Sequence, residues 1–324
     1  MRARPAAAGL AFCAVGCLCW NLTTGAVPVR LADMLAGGGD AAFVVRELRL
    51  PRALVALVSG AALALSGALI QTAVRNPLGD PGLTGVSAGA AAGVTLSLSL
   101  APVAAPTPVL PGILGGFLAG ALTLAIARRT GLSAISLILA GLAVSIFFLA
   151  VTSVVTILNR DLTQTLFFWQ IGGFINRTWG DFHHLWPWCL GGGLLALAIA
   201  PVLDALTLDD TTARAVGLNA HAWRAFVGAL AVILAAAPTA IAGPIAFVGF
   251  LSPHLTRRMI DAAARRHVVL LPMSALLGAT LTLLADTVSR ALPLDRSPPA
   301  GVLIAILGGL AFLLLTRRSG AVRL

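Results

Sequence analysis

Leu50-Pro51-Arg52, an apolar run from Ala53 to Val74, the bend Arg75-Asn76-Pro77-Leu78-Gly79-Asp80-Pro81-Gly82 and then Leu83-Thr84-Gly85-Val86-Ser87-Ala88-Gly89 decide how this chain is read. Charged and helix-breaking residues are held between two segments apolar enough to sit in lipid. A hydrocarbon core of about 30 Å takes roughly 20 helical residues at 1.5 Å each, and Ala53 to Val74 supplies them. Two prolines in the bend prevent the helix from continuing. The backbone must turn back as an ordered bend, in which Asn76 can satisfy freed backbone groups.

The same alternation of apolar stretches and short polar breaks fills the chain. Hydrophobic residues make up 58% of 324 positions, charged residues 10%, and the mean hydropathy is +0.96. A soluble domain carries about 25% charged residues. The pattern predicts an all-α, polytopic membrane protein: one transmembrane domain over 1–324, with about ten helices. Their spans are 6–26, 52–74, 84–101, 109–127, 133–157, 183–203, 225–243, 245–256, 268–290 and 300–316. The eighth is too short to cross without flanking residues, and the apolar segment 162–174 reads as a partly embedded helix on the outer side. Ten crossings put both termini on one face. All 22 basic residues are arginine, and fourteen fall on that face, which the positive-inside tendency assigns to the cytoplasm.

A net charge of +10 does not imply nucleic acid here, because the arginines sit at helix ends, where they meet lipid phosphates and water. Arg2 and Arg4 before an apolar run have the look of a secretory signal. Its removal would leave an odd number of crossings and break the arginine count. Cys13, Cys17, Cys19 and Cys189 lie in apolar segments, where cysteine behaves as a small hydrophobe. Cys13 and Cys17 have metal-compatible spacing, yet no histidine or carboxylate lies near them in sequence. No metal and no cofactor bound by the chain is expected. His183, His184 and His254 lack the His-Glu-x-x-His spacing, so a membrane enzyme is disfavoured and no catalytic residue is assigned. His183 and His184, among Trp179, Trp186 and Trp188, read as interfacial anchors.

Uphill transport needs an energy source. A P-loop requires Gly-x-x-x-x-Gly-Lys, and this chain contains no lysine. Ion-driven carriers place ionisable residues near the bilayer midplane. Here Asp286 is the nearest, toward the outer end of its helix. The sequence therefore favours an ATPase on another chain over an ion-coupled secondary transporter.

The longest polar inner loop is 204–224. Asp209 suits the N-cap of a short helix and Asp210 the positive end of its dipole. Gly217 can take the left-handed stop, and Asn219 can cap a second short helix running into Trp223. Two short helices at a glycine turn make a compact knob. On the outer side, Arg49 and Arg52 flank Pro51, and Arg290 follows Asp286 by four residues. They read equally as lipid contacts with an Asp286–Arg290 pair or as a docking surface.

Several marks occur in order along the chain: Gly67-x-x-x-Gln71, the bend at 75–82, Leu206-x-Leu208-x-x-x-x-Ala213-Arg214-x-x-Gly217, Gly243-Pro244-Ile245-x-Phe247-Val248-Gly249-Phe250 and Pro253-His254-Leu255-x-Arg257. Leu284-Ala285-Asp286-x-x-x-Arg290, Pro299-Ala300-Gly301-Val302 and Gly308-Gly309 with Phe312 follow. Together they resemble the FecCD/BtuC-type ABC transporter permeases, which import iron siderophores, heme and vitamin B12. The resemblance implies a type II ABC importer permease fold in the bacterial inner membrane, with both termini cytoplasmic. It implies a homodimer, two ATP-binding cassette ATPase subunits that carry ATP and Mg, and a periplasmic substrate-binding protein. By the same resemblance Asp209, Asp210, Thr212, Arg214 and Gly217 form the ATPase contact. Arg49, Arg52 and Arg290 pair with acidic residues of the binding protein, work that suits the guanidinium fork. Asn76 and Leu78 narrow the cytoplasmic gate. The run Arg49–Gly89 looks most like heme permeases, with ferric siderophore or vitamin B12 as alternatives. The chain departs from the family at Ser297, usually glutamate, and at Leu310, often a kink-forming proline.

Overall fold

After a first helix, α1 (Ala3–Thr23), the helix around Ala53–Val74 begins well before Arg52, where the sequence predicts its start. The computed structural model describes residues 3–25, 39–100, 108–129, 134–159, 163–208, 212, 217–261, 264–292 and 297–318, and no strand occurs among them. In it α2 (Gly39–Phe43), a π-helical turn (Val44–Arg49) and α3 (Leu50–Val74) follow one another without a break. Pro51 lies in the first turn of α3. The wider π turn ahead of it relieves the crowding that a proline ring imposes on the carbonyl four residues earlier.

Downstream come α4 (Val86–Leu100), α5 (Val109–Arg129), α6 (Ala134–Leu158), α7 (Thr163–Gln170), α8 (Trp179–Ala198) and α9 (Ala200–Leu206). Then follow α10 (Ala220–Ala242), α11 (Val248–Met259), α12 (His267–Ala291) and α13 (Ala300–Arg318). A helix lies on each of the ten predicted segments, but among the described residues six are long and apolar enough to cross, or seven if α8 and α9, bent by 61°, make one span. Pro201 in the first turn of α9 accounts for the bend, since it lacks the N–H that would continue the ladder. The helices α4 and α13 are apolar but shorter. With 12 residues, α11 is about 18 Å long at 1.5 Å each, short of the ~30 Å core. The break before α11 is covered from within: the Gly173 N–H donates to the Ala242 carbonyl (2.8 Å) and Trp169 Nε1 to that of Ile241 (3.3 Å).

The axis of the bundle is α3, packed against α8, α10, α11 and α12. Its most apolar window is 78% buried against 11% for α1, as expected of a helix apolar all round. A Cβ on Gly60 would be driven into the Gly278 carbonyl of α12, and one on Gly67 into the Gly249 carbonyl of α11. Small residues let backbones meet in this way, which is how helices commonly pack in lipid.

Two local expectations are modified. Asn219 does cap a helix, accepting the Ala222 N–H at 3.1 Å, but that helix is the whole of α10 rather than a separate short one. At the family's proline position, exposed Leu310 lets α13 run through without a break.

Candidate functional site

The bend at 75–82 is ordered by its own side chains. At the end of α3, Arg75 has φ 53°, in the left-handed region. The Asn76 N–H returns to the Gln71 carbonyl (3.1 Å), and the Leu78 N–H donates to Asn76 Oδ1 (2.9 Å). Asn76 thus serves the backbone that the two prolines interrupt, and both Asn76 and Leu78 are half-buried. Gln71 fastens the bend to α11. Its Nε2 donates to the carbonyls of Gly79 (3.2 Å) and Gly249 (3.5 Å), and its Oε1 accepts from Arg257 at 2.5 Å. Gly67, Gln71, Asn76, Gly249 and Arg257, scattered in sequence, form one joint.

Asp80 closes that joint. It is buried, accepts the Gly82 N–H at 2.8 Å and lies against Gly249 at the start of α11. Burial pushes its carboxyl up to about 6, while the backbone N–H groups of Gly82, Phe250 and Leu83 pull the other way. The folded chain keeps this proton where an unfolded chain, near the ordinary 3.8, has lost it. Stability from this group is therefore full below about pH 4 and is lost as pH rises through about 6. Thermal unfolding of the purified chain in detergent should show wild type gaining on Asp80→Asn as pH falls from about 7 to 5. A gap between the two that stays constant over that range would contradict the assignment.

Two routes tie the start of the loop at 204–224 to the same joint. Arg75 donates through Nε to the Leu206 carbonyl (3.1 Å) and through Nη2 to that of Leu208. Asp204, on α9, accepts the His267 N–H (2.9 Å), lies 2.6 Å from His267 Nδ1, and pairs with Arg266 at 3.6 Å. His267 Nε2 in turn meets Thr72 Oγ1 of α3 at 2.9 Å. Asp209, Asp210 and Arg214, assigned to the ATPase contact, lie outside the described residues. Thr212 is exposed. Gly217 has φ +77°, in the left-handed region, with no described atom within 4 Å of where a Cβ would stand; the short helix it is expected to stop lies outside the described residues. Sequence reasoning missed Arg75, Asp204 and His267 as linkers, because their partners lie 131 and 63 residues away.

Phe312 of α13 meets Phe250 of α11 at 5.3 Å between ring centres, and Gly308 lies directly on Phe247. The glycine and phenylalanine marks of the two short helices are thus one contact. Gly85-Val86-Ser87-Ala88-Gly89 has the letters of a nucleophile elbow. However, Ser87 lies in the first turn of α4, buried, and no base bonds its hydroxyl. Among the described residues no three His, Cys, Asp or Glu side chains are grouped as a metal site requires.

At the end of α3 opposite the bend Arg49, Arg52 and Arg290 converge, and their donors turn into the bundle. Arg52 holds Asp286 at two points, Nη2 to Oδ1 at 2.7 Å and Nε to both oxygens at 3.1 Å. Arg290 Nε lies 3.5 Å from the same carboxylate, and Nη1 and Nη2 donate to the carbonyls of Thr24 (2.9 Å) and Asn21 (2.8 Å). Arg49 Nη1 donates to the Leu22 carbonyl at 2.7 Å. Asn21 Nδ2 donates to Asp286 (3.3 Å) and Thr287 (2.8 Å). The terminal carbonyls of α1, which a helix end leaves without partners, are capped by arginines from elsewhere in the chain. Asp286 is 0% and Arg49 5% exposed. The Asp286–Arg290 pair read from the sequence is present, with Arg52 as the closer partner. Trp179 Nε1 donates to the Arg46 carbonyl (3.1 Å), and Trp186 and Trp188 are each 39% exposed on α8, as interfacial anchors would be.

A model of the FecCD transport family matches residues 13–318 of this chain. Over 281 residues the chain is 36% identical to the Fe(3+) dicitrate transport system permease protein FecC of Escherichia coli (strain K12), which covers 86% of this chain and 84% of that protein. It is 33% identical over 293 residues to "Probable heme-iron transport system permease protein IsdF" of Staphylococcus aureus (strain MSSA476), covering 89% and 88% of the two chains. Among solved structures, an inward-facing metal-chelate type ABC transporter superposes with a TM-score of 0.82 at 31% identity, covering 97% of this chain and 99% of that one.

Proposed function

The chain belongs to the FecCD transport family and is a multi-pass permease of a metal-chelate type ABC importer; from that premise we propose how it is driven and what it carries. Two copies form the pathway in the bacterial inner membrane, with their termini in the cytoplasm. A binding protein delivers an iron chelate from the periplasm. ATP and Mg are bound by two separate ATPase subunits, because a chain without lysine lacks the P-loop residue that reaches the phosphates.

The observation that carries this reading is the double fastening of the loop at 204–224 to the bend at 75–81, through Arg75 to Leu206 and Leu208 and through Asp204 and His267 to Thr72. A push on that loop by an ATPase, received at Asp209, Asp210, Thr212, Arg214 and Gly217, passes directly to the end of α3. Asn76 and Leu78, on the bend, then open or narrow the exit. At the other end, Arg52 and Arg290 share the single carboxylate of Asp286 and Arg49, held by the Leu22 carbonyl, adds a third positive charge, so this rim keeps a positive field. Arg49, Arg52 and Arg290 steer the acidic lobes of a binding protein through that field, since their donors are committed within the bundle.

The proposed cargo is heme, on the likeness of the Arg49–Gly89 run to heme permeases. Ferric citrate is the second reading, favoured by the 36% identity to FecC. Uptake by the complex of this chain with its ATPase and binding protein, supplied with labelled heme or labelled ferric citrate, separates them. Saturable heme uptake that excess ferric citrate leaves unchanged supports the first reading; the reverse pattern supports the second.

A further inference from the structure

A groove of about 460 Å³ opens between α5 and α10 near their basic ends. Its walls are apolar, with Phe117, Leu124 and Val232 prominent, and four cationic or titratable side chains stand in its lining: Arg75, Arg128, His221 and Arg224. Arg128 lies in the last turn of α5 and Arg224 near the start of α10; the two helices run antiparallel, with Gly112 beside Ala240 and Gly120 beside Val232, so both charges line the same end of the groove. From Arg224 to Val232 the groove follows α10 for about 12 Å at 1.5 Å per residue. Gly228 lines it, and a Cβ there would meet nothing within 4 Å. Packing therefore does not demand glycine at this position; the missing side chain leaves the slot open.

We propose that this groove binds an anionic phospholipid, with the phosphate among Arg75, Arg128, His221 and Arg224 and an acyl chain along the apolar slot between α5 and α10. A slot of this composition alone would accept any hydrocarbon. The cluster of positive charge at one end selects a ligand that is apolar along its length and anionic at its head, and basic pockets between membrane helices suit such headgroups. On the orientation proposed above the site faces the cytoplasmic leaflet, although lipid retention itself does not depend on orientation. The headgroup would touch Arg75, which also holds the Leu206 and Leu208 carbonyls. Lipid occupancy is thereby joined to the segment proposed to receive the ATPase.

The test is native mass spectrometry of the purified full chain titrated with tetraoleoyl cardiolipin or dioleoyl phosphatidylcholine. Wild type should retain cardiolipin at least about tenfold more strongly than phosphatidylcholine. Arg128→Gln with Arg224→Gln should remove that preference. Gly228→Leu, which fills the slot and leaves every charge in place, should weaken cardiolipin retention several-fold while the thermal stability of the chain is maintained. Retention equal to wild type in Gly228→Leu would show headgroup contact at the surface only and overturn the proposal. Loss of ATPase-subunit association in the arginine variant with cardiolipin retention unchanged would also overturn it, assigning the cluster to that protein contact.

Discussion

Asp286→Ala is expected to destabilise the purified chain by about 3–5 kcal/mol, the usual cost of removing one partner from a buried ion pair. The loss leaves Arg52 and Arg290 without their carboxylate at a position where Asp286 is 0% exposed. It also removes the longer of the two Asn21 Nδ2 bonds that tie α1 to α12, leaving the one to Thr287. Thermal unfolding in detergent measures the effect. Removing Arg52 and Asp286 together should cost less than the sum of the single changes, since neither charge is then abandoned. An Asp286→Ala protein that unfolds with wild type would mean that the cluster is not a stabilising element.

Gly217→Val is the second large effect, and it acts on function. At φ +77° a residue with a Cβ carries roughly 1–2 kcal/mol of backbone strain, and a β-branched one is a genuine outlier. No neighbouring atom lies within 4 Å of the new Cβ, so the strain falls on the loop while the bundle is spared. A shift of one or two kcal/mol corresponds to a factor of about 5–30 in population. Substrate-stimulated ATP hydrolysis by the assembled complex should drop by about that factor, with yield and thermal stability of the permease unchanged. Gly217→Asn should retain more activity, because asparagine tolerates the left-handed region better. Full stimulation in the valine variant would remove Gly217 from the coupling path.

Much of the fold is legible because lipid imposes a simple rule. Backbone groups must be satisfied within each segment, so apolar runs become helices, and each of the ten runs is helical, the sixth with a bend between α8 and α9. What the runs do not reveal is how far each helix reaches. The twelve residues of α11 are set by packing against α3 and α12, which no local window contains, whereas the bend at Pro201 has a local cause in the proline itself. The ordered bend at Asn76 and the cap at Asn219 were readable because their bonds span only two or three residues. Arg49, Arg52 and Arg290 were readable as a group, but their direction was not. Asp286 and Asn21 come from elements 234 and 265 residues from their partners in the cluster. Arg75 was hidden for the same reason, though it carries the contact between bend and loop.

The central claim is that force enters this chain from a separate ATPase and leaves as a movement of the bend at the end of α3. Cargo uptake into proteoliposomes tests it, with the permease reconstituted alone or together with its ATPase subunit and binding protein. Accumulation against the gradient should require the ATPase and ATP and ignore imposed proton or sodium gradients. Uphill accumulation by the chain alone, following an ion gradient, would contradict it.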